Sequence, residues 1–386
     1  MKILFCKWEN FGSDDMTEAF ESLGHTVVPF PASQEALLSD SIGERLEKKA
    51  KEEAPDIFFS FNYFPKVALK CKELGLDYYS WVYDNPAVSL YSYTVIFPTN
   101  HIFVFDSDTY LLFSSQGIKT IEFLPMAAAP DRYARLQKEA EANGLLKKYE
   151  ADISFVGSLY SEKHCFFDRM NVSEYATGYL RGIMEAQKLV YGDNFIQRSL
   201  TPELIADMYK SLPMEPDSGS ACTKEFLFAQ YVINRQITRE ERTEAIKELG
   251  SRFKVDLYTP DSKKEISGCV NHGTADFYRE LPLIFGASKI NINITLRSIV
   301  NGIPLRCFEI MGAGGFLLTN YQGDFASFFD AGEEYVYYDG TKDLLGKAEY
   351  YLKHEEERKQ IAAAGLARIR EAHTYRHRAE EMLGRS

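Results

Sequence analysis

The sequence predicts an α/β protein with two doubly wound domains and a helical insertion in the second domain. Short apolar segments alternate with amphipathic helical segments over residues 1–130, and this alternation resumes at residue 151. Between about 166 and 248 the apolar spacing is helical, without a strand pattern. Strand and helix in alternation favour a parallel sheet with helices on both faces.

The composition favours a globular protein and argues against a nucleic-acid-binding or a transmembrane one. The chain has 386 residues, enough for two domains, and 45% hydrophobic with 26% charged residues is typical of a globular protein. A net charge of -12 without a basic block argues against nucleic-acid binding. We read no signal peptide and no apolar run of the roughly 20 residues that a transmembrane segment needs. Six scattered cysteines favour reduced thiols, so we expect a cytoplasmic protein.

In the N-terminal domain, residues 1–130, six segments have strand character and three have helical spacing. The predicted strands are 2–6, 26–30, 56–61, 78–83, 102–105 and 120–124. The predicted helices are 14–23, 34–53 and 65–74. Ligands of a parallel sheet bind beyond the carboxyl ends of its strands, so the residues that follow each strand are the ones to consider for function.

Polar and aromatic residues follow three of these strands. Glu9 follows the first strand, Asn62 and Tyr63 follow the third, and Asp84 follows the fourth. A carboxylate at a strand end suits the removal of a proton from a hydroxyl group, which makes Asp84 the leading candidate for that role and Glu9 a weaker one. The alternative is that Asp84 begins a turn with Asn85 and caps its own backbone.

The second domain, residues 151–372, follows a linker over 131–150 and begins with a predicted strand at 152–156. Gly157 and Ser158 come directly after that strand. Backbone N–H groups of such a loop can hold a phosphate, although a glycine after a strand is also a common turn.

Two further segments of the second domain offer ligand contacts. Tyr258 and Thr259 end a predicted strand at 253–258, at an edge where a nucleotide base can rest. In the helical insertion, Arg235 and Arg239 lie one turn apart and either contact phosphate or form a solvated basic face. The insertion itself either shapes a cleft for a second substrate or forms a homo-oligomer contact.

The stretch from Ile294 to Tyr321 predicts a loop and a helix between two strands. The helix is predicted from Pro304 to Met311, since proline is tolerated in a first helical turn. Gly314 and Gly315 then end the helix and let the backbone pass close to a neighbour or a ligand.

Three charged residues belong to this stretch. Arg297 and Arg306 flank the loop, and Glu309 follows on the helix. A helix N-terminus with two guanidinium groups suits an anionic ligand such as a diphosphate, and the Glu309 carboxylate can accept hydrogen bonds from ribose hydroxyls. The alternative is a plain helix-to-strand turn with surface arginines, which is common in α/β sheets.

The stretch ITLRSIVNGIPLRCFEIMGAGGFLLTNY resembles the donor-binding core of GT-B glycosyltransferases, in particular the CgeB-like (spore maturation protein) group with its group 1 C-terminal domain. The segments SFNYFP, SWVYDNP and FVGSLYSEKHCFFDR are similar to other parts of that group, so the resemblance covers nearly the whole chain. Retaining members carry an E-x7-E motif followed by an A-x-G turn. Glu309 matches the second glutamate, which binds ribose, and Asn301 stands at the first, so the stereochemical outcome stays open.

The resemblance implies a GT-B fold with two Rossmann-like domains. It also implies a hexosyltransferase-like glycosyltransferase that uses a nucleotide-diphosphate sugar without a cofactor or a metal. The sugar donor would bind the C-terminal domain, a glycan or protein acceptor would bind the N-terminal domain, and transfer would occur in the cleft. The terminal helix, residues 373–386, would return to the first domain. Two rivals stay open: a nucleotide-sugar epimerase of this fold, and a noncatalytic module that binds a glycan or a partner protein.

Overall fold

The computed structural model describes residues 1–161, 165–260 and 265–384, so residues 162–164 of the stretch FVGSLYSEKHCFFDR lie outside the described residues. The chain forms two compact units. Unit 1 consists of Met1–Ala127, Asp217–Cys222 and Thr374–Ser386, and unit 2 consists of Ala128–Pro216 and Thr223–His373. Each unit contains one six-stranded parallel sheet, as the strand–helix alternation predicts.

Unit 1 is a doubly wound sheet. Its strands are β1 (Lys2–Lys7), β2 (Thr26–Pro31), β3 (Ile57–Phe61), β4 (Asp77–Val82), β5 (Asn100–Val104) and β6 (Ile121–Phe123). Its helices up to residue 127 are α1 (Ser13–Ser22), α2 (Gln34–Leu38), α3 (Ile42–Glu53), α4 (Pro65–Leu74) and α5 (Ser107–Ser115). The strands lie in the order β2-β1-β3-β4-β5-β6, so the order reverses between β1 and β3.

Aromatic side chains are a large part of the interior of unit 1, beside aliphatic ones. All five residues of β3 are buried, as a central strand of a doubly covered sheet requires. The ring of Phe59 packs edge-to-face against Phe5 and Phe20, with ring centroids 4.9 Å and 5.2 Å apart. Many of the aromatic residues, which make up 14% of the sequence, therefore serve core packing.

One predicted helix of unit 1 is interrupted. The single helix predicted over 34–53 is two helices, α2 and α3. Ser39 leaves the helical conformation, and its hydroxyl donates a hydrogen bond to the Ala36 carbonyl at 2.9 Å. A serine that bonds to nearby backbone competes with the helix, which is why the amphipathic pattern alone missed the break.

Unit 2 has the same architecture with more helices. Its strands are β7 (Ala151–Val156), β8 (Val255–Tyr258), β9 (Cys269–Asn271), β10 (Ser288–Asn293), β11 (Leu317–Asn320) and β12 (Val336–Tyr338). Its helices are α6 (Pro130–Ala142), α7 (Glu174–Lys188), α8 (Pro202–Ser211), α9 (Lys224–Leu227), α10 (Asn234–Gly250), α11 (Leu281–Ala287), α12 (Leu305–Gly312), α13 (Gly340–Lys353) and α14 (Glu355–Ala372). The strand order is β12-β11-β10-β7-β8-β9, so it reverses between β7 and β10.

The helical insertion of unit 2 has a small core of its own. Helices α7, α8 and the region before α10 contribute buried apolar side chains that include Leu180, Met208 and Phe228. Residues Phe228–Ile233 form a π-helical segment that joins α9 to α10. The insertion is thus a packed layer, and α10 also packs on the sheet through Ala245, Ile246 and other residues.

The terminal segment completes unit 1. Helix α15 (Tyr375–Gly384) packs against α1, and Tyr375 lies edge-on to Trp81 at a centroid distance of 5.9 Å. Arg378 donates a hydrogen bond to the Pro125 carbonyl at 2.8 Å. Within the described ranges, the helices lack the combination of length and apolar character that a bilayer span requires.

Candidate functional site

The order of the sheet in unit 2 reverses between β7 and β10. Ligands of open parallel sheets bind at such a reversal, beyond the carboxyl ends of the two strands. Here the chain continues from β7 into Gly157 and Ser158, and from β10 into Ile294 and Thr295. These two loops therefore form the edge at which the predicted donor residues have to be located.

Arg242, on α10, joins the two loops. Its Nε and Nη2 donate to the Ile294 carbonyl at 3.0 Å and 2.5 Å, and its Nη1 donates to the Ser158 carbonyl at 2.5 Å. The guanidinium also lies over the Tyr160 ring, 5.0 Å from its centroid. Burial lowers the pKa of Arg242, and the nearby Arg306 guanidinium lowers it further.

The sequence reasoning missed Arg242. It singled out Arg235 and Arg239 on the same helix, and Arg239 instead pairs with Asp168 at 2.6 Å. Residues 235, 239 and 242 share one face of a helix, because they follow the i, i+4, i+7 spacing. Extending that spacing by one turn is the signal that points to Arg242.

Arg306 and Glu309 lie together at the start of α12. Arg306 is the second residue of the helix, and its Nη1 donates to Glu309 Oε2 at 2.7 Å. The Glu309 side chain is 5% exposed and the Arg306 side chain is 26% exposed. Two guanidinium groups, of Arg242 and Arg306, thus lie near one another at this edge with one carboxylate, a balance that favours an anionic ligand.

Arg297 does not take the place predicted for it beside a diphosphate. Its guanidinium forms a two-point ion pair with Glu241 of α10, with Nε 2.7 Å from Oε2. It also donates to the Val190 and Lys188 carbonyls at 2.8 Å and 3.0 Å, and it covers the Tyr191 ring at 4.2 Å. Because the group is buried and bonded within the insertion, Arg297 positions the loop rather than a ligand.

The insertion holds the loop after β10 at further points. Asn194 donates to the Arg297 carbonyl at 2.8 Å, and the Arg297 N–H donates to Thr238 Oγ1 at 2.9 Å. From the sheet side, the Thr295 N–H donates to Asn320 Oδ1 at 2.7 Å. These side-chain bonds fix the backbone of the loop that leads to Arg306.

The glycines predicted to contact the donor have roles within the fold. The Gly157 N–H donates to the Tyr258 carbonyl at 3.1 Å, so this N–H is already bonded, and Ser158 Oγ accepts from the Tyr160 N–H at 2.8 Å. Gly314 and Gly315 end α12 just before β11, at the amino end of that strand and away from the carboxyl edge. Gly314 has φ +73°, the left-handed conformation of a helix end.

Tyr258 and Thr259 lie at the carboxyl end of β8, as predicted from the sequence. Thr259 is fully buried, and the Tyr258 ring stacks on His272 with centroids 4.9 Å apart. His272 Nε2 lies 2.6 Å from Asp256 Oδ1. The histidine therefore covers one face of the Tyr258 ring, the residue that the sequence predicted to contact a nucleotide base.

In unit 1, some residues predicted for the acceptor side are exposed and others are buried. Asp84 and Glu9 are exposed after β4 and β1. Asn62 donates to Asp84 Oδ2 at 2.7 Å and accepts from the Tyr83 and Asp84 N–H groups at 3.1 Å and 3.2 Å. Asn62 thus holds the loop that carries Asp84 through these three hydrogen bonds. The Asp84 side chain remains exposed.

Tyr63 lies in the core and not at an acceptor surface. It is 1% exposed, its hydroxyl lies 2.7 Å from Thr94 Oγ1, and its ring stacks on Tyr78 at 5.7 Å. Burial raises the pKa of Tyr63 well above its ordinary value. An acceptor cannot reach this side chain in the folded unit.

Comparison with known proteins adds a family match and a fold. Residues 235–384, less than half of the chain, match a family model described as glycosyl transferase-like. No curated protein sequence matches the chain.

Solved structures match over the full length at low sequence identity. Sucrose-phosphate synthase from Thermosynechococcus elongatus has a TM-score of 0.59 at 9% identity, over 100% of this chain and 98% of that one. HepE from Anabaena, in complex with UDP-glucose, has a TM-score of 0.55 at 9% identity, over 100% and 99%. A glycosyltransferase from Rickettsia africae has 0.50 at 10% identity, over 100% and 99%. The chain has a GT-B fold.

Within this GT-B fold, the segment that matches the family model contains Arg242, Arg306 and Glu309. It begins in α10 and includes the loop after β10 and helix α12. The charged residues at the carboxyl edge of unit 2 and the family match therefore fall in the same part of the chain.

Proposed function

We propose that the chain is a CgeB-like glycosyltransferase that moves a hexosyl unit from a nucleotide-diphosphate sugar to a glycan or protein acceptor. One observation carries the proposal. Arg242, Arg306 and Glu309 gather at the sheet edge where α/β folds bind ligands, inside the segment that matches a glycosyltransferase-like family model.

The donor chemistry follows from the charges at that edge. In the proposed reaction, the bond between the anomeric carbon of the sugar and the diphosphate oxygen breaks, and the diphosphate keeps the electron pair. Arg306, in the first turn of α12, stabilises that negative charge, while Arg242 holds the two loops in place and adds positive charge nearby. Glu309 accepts hydrogen bonds from the ribose through the small exposed part of its carboxylate, while its Oε2 also accepts from Arg306. These groups take the role that a metal has in other transferases, so the reaction is proposed to be metal-independent.

The acceptor chemistry is assigned to the exposed carboxylates of unit 1. In an inverting reaction Asp84 takes the proton of an acceptor hydroxyl, whose oxygen forms the new bond to the anomeric carbon. Asn62 orients the Asp84 carboxylate through its 2.7 Å hydrogen bond. Glu9 offers a second exposed carboxylate for acceptor hydroxyls.

The test is a thermal-shift titration with UDP, followed by a transfer assay with UDP-glucose. UDP is chosen because HepE, which shares the fold, has been solved with UDP-glucose. UDP at 100 times its Kd is expected to stabilise the protein by about 2.7 kcal/mol. Arg306→Ala is expected to abolish this shift. Arg252→Ala, which removes an exposed arginine of the same unit, is the matched control and is expected to keep it. If UDP, GDP, dTDP, CDP and ADP all leave the melting temperature unchanged, the donor site is refuted.

The noncatalytic module is the rival that a specific residue favours. Asn301 stands where retaining enzymes of this kind carry a glutamate. Tight nucleotide binding without transfer or hydrolysis of the nucleotide sugar would support that rival. A change in the sugar without an added acceptor would instead support an epimerase.

A further inference from the structure

A cavity lies in unit 2, on the insertion side of the sheet. Its volume is about 420 Å³, which is in the range of small-molecule binding sites. Helices α7, α10 and α13 form its walls, and residues at the carboxyl ends of β10, β11 and β12 line its base. Arg242, Arg306 and Glu309 do not line it, so the cavity does not contain the charged residues of the proposed donor site, although the two share the loop residues Ile294 and Thr295.

The two cations in the wall of this cavity are already neutralised. Arg297 forms its two-point ion pair with Glu241. Lys188 Nζ lies 2.7 Å from carboxylate oxygens of both Glu185 and Glu240. A phosphate or a carboxylate entering the cavity would compete with these carboxylates, so the wall disfavours an anionic ligand.

The remaining lining groups suit a neutral ligand with many hydroxyls. Glu244 is an exposed carboxylate at the cavity, and charged acceptors form strong hydrogen bonds with hydroxyl donors. The hydroxyls of Tyr191 and Thr341 both donate and accept. Leu189 and Leu344 add apolar surface for the C–H face of such a ligand. A sugar ring is complementary to this lining, because it has hydroxyl groups for the acceptors and donors and a C–H face for the apolar surface.

We propose that the cavity between α7, α10 and α13 binds a neutral sugar, of one or two rings, at a site separate from the nucleotide. The proposal does not depend on the donor site, because the lining residues and the charge pattern differ. A glycan that occupies the cavity lies against Ile294, Thr295 and Arg297, the first part of the loop that leads to Arg306.

The experiment is saturation-transfer NMR with D-glucose, D-galactose, D-mannose and maltose, added separately at a concentration on the order of 10 mM. Ala186→Trp places a large side chain on an exposed helical position that lines the cavity. Ala142→Trp makes the same substitution at an exposed helical position of α6 away from it. We expect saturation transfer to at least one sugar with the wild type and Ala142→Trp, and its loss with Ala186→Trp. Glu244→Gln is expected to weaken the same sugar about tenfold.

Two results would overturn the proposal: no sugar receives saturation from the wild type, or Ala186→Trp and Glu244→Gln bind the sugars as the wild type does. The UDP thermal shift is measured on the same samples. Ala186→Trp is expected to retain that shift, which also shows that the variant is folded. Sugar binding without any nucleotide shift would refute the donor site alone, and a nucleotide shift without sugar binding would refute this proposal alone.

Discussion

The arginines of unit 2 show how strongly the surroundings decide the role of one residue type. Arg297 is buried against Glu241 and two backbone carbonyls, Arg242 is bonded to the carbonyls of two loops, and Arg306 keeps a quarter of its side chain exposed beside Glu309. A guanidinium that has its acceptors within the fold is a positioning group, whereas one with free surface can meet a ligand. Arg306 is therefore the arginine on which the donor proposal depends.

Tyr258 gives a prediction about pH at the residue scale. Burial raises the pKa of Tyr258 to about 12, and the nearby Asp256 carboxylate adds to the rise. The folded state then holds the phenol proton more tightly than the unfolded state, so this contribution to stability is present below about pH 10 and is lost as the pH rises to about 12. The free energy of unfolding of the wild type is expected to fall more than that of Tyr258→Phe between about pH 9 and about pH 11.5.

Urea unfolding at the two pH values is the measurement. Tyr175→Phe, which removes the hydroxyl of a tyrosine 72% exposed, serves as the control and is expected to follow the wild type. Equal losses for the wild type and Tyr258→Phe would contradict the assignment.

At the scale of elements, the helical insertion acts as a support for the loop after β10. Thr238, Glu241 and Arg242 of α10 all bond to that loop, and Asn194 adds a bond from the segment after α7. These bonds from one helix therefore fix the loop at several points. The insertion therefore contributes to the geometry of the proposed donor edge without containing the donor residues predicted from the sequence.

Removing the Glu241 carboxylate is expected to weaken the contact between α10 and the loop after β10. Glu241→Gln leaves the Arg297 guanidinium buried without a charged partner, which is expected to cost about 3 kcal/mol of stability. Amide hydrogen exchange should also rise across residues 294–303. Glu349→Gln removes a carboxylate from an exposed lysine pair and is expected to leave both quantities unchanged. Unchanged exchange in Glu241→Gln would show that the ion pair does not hold the loop.

The approach of β9 to α10 gives a second prediction at this scale. Gly268 has φ +76°, and a Cβ there would lie 1.7 Å from the Gly250 carbonyl oxygen. Gly268→Ala is therefore expected to destabilise the protein by about 3 kcal/mol, from backbone strain and overpacking together. Gly117 has φ +81° and open space around it, so Gly117→Ala is expected to cost only about 1 kcal/mol. Equal melting temperatures for the two variants would rule out the close approach.

At the scale of the whole molecule, the two units share one architecture but differ in the charged residues at their strand ends. Both units are six-stranded parallel sheets, and the order of each reverses at an internal strand pair. Unit 1 has exposed carboxylates after β1 and β4, and unit 2 has the partly exposed Arg306 guanidinium on the helix that follows β10. This separation of the proposed acceptor carboxylates from the proposed donor arginine fits the proposal of two different substrates.

The proposed use of arginines in place of a metal applies to the reaction as a whole. A chelator such as EDTA is expected to leave both the UDP thermal shift and any transfer from UDP-glucose unchanged. Added Mg²⁺ or Mn²⁺ is expected to have no activating effect. Arg306→Ala, measured in parallel, shows how far the thermal shift and the transfer fall when the arginine side chain is removed. Inactivation by EDTA, reversed by one of these ions, would contradict the metal-independent proposal.

The sequence by itself determined the class of fold, because strand and helix periodicities are local properties of the chain. Continuous apolar strands such as IFFSF and the helix after Pro304 lie within a residue or two of their predicted bounds. It also singled out Arg306, Glu309 and Asp84 as candidates for ligand contact, since Asp84 follows a strand and the other two lie on the helix that follows the loop after β10.

Only the tertiary structure decided which of the predicted residues are free to meet a ligand. Tyr63 and Arg297 have the right residue types after the right strands, yet one lies in the core and the other is bonded within the insertion. Arg242 comes to the donor edge from a helix more than fifty residues before the loop that it holds. Burial and hydrogen-bond partners depend on contacts between segments far apart in the chain, and local patterns do not contain them.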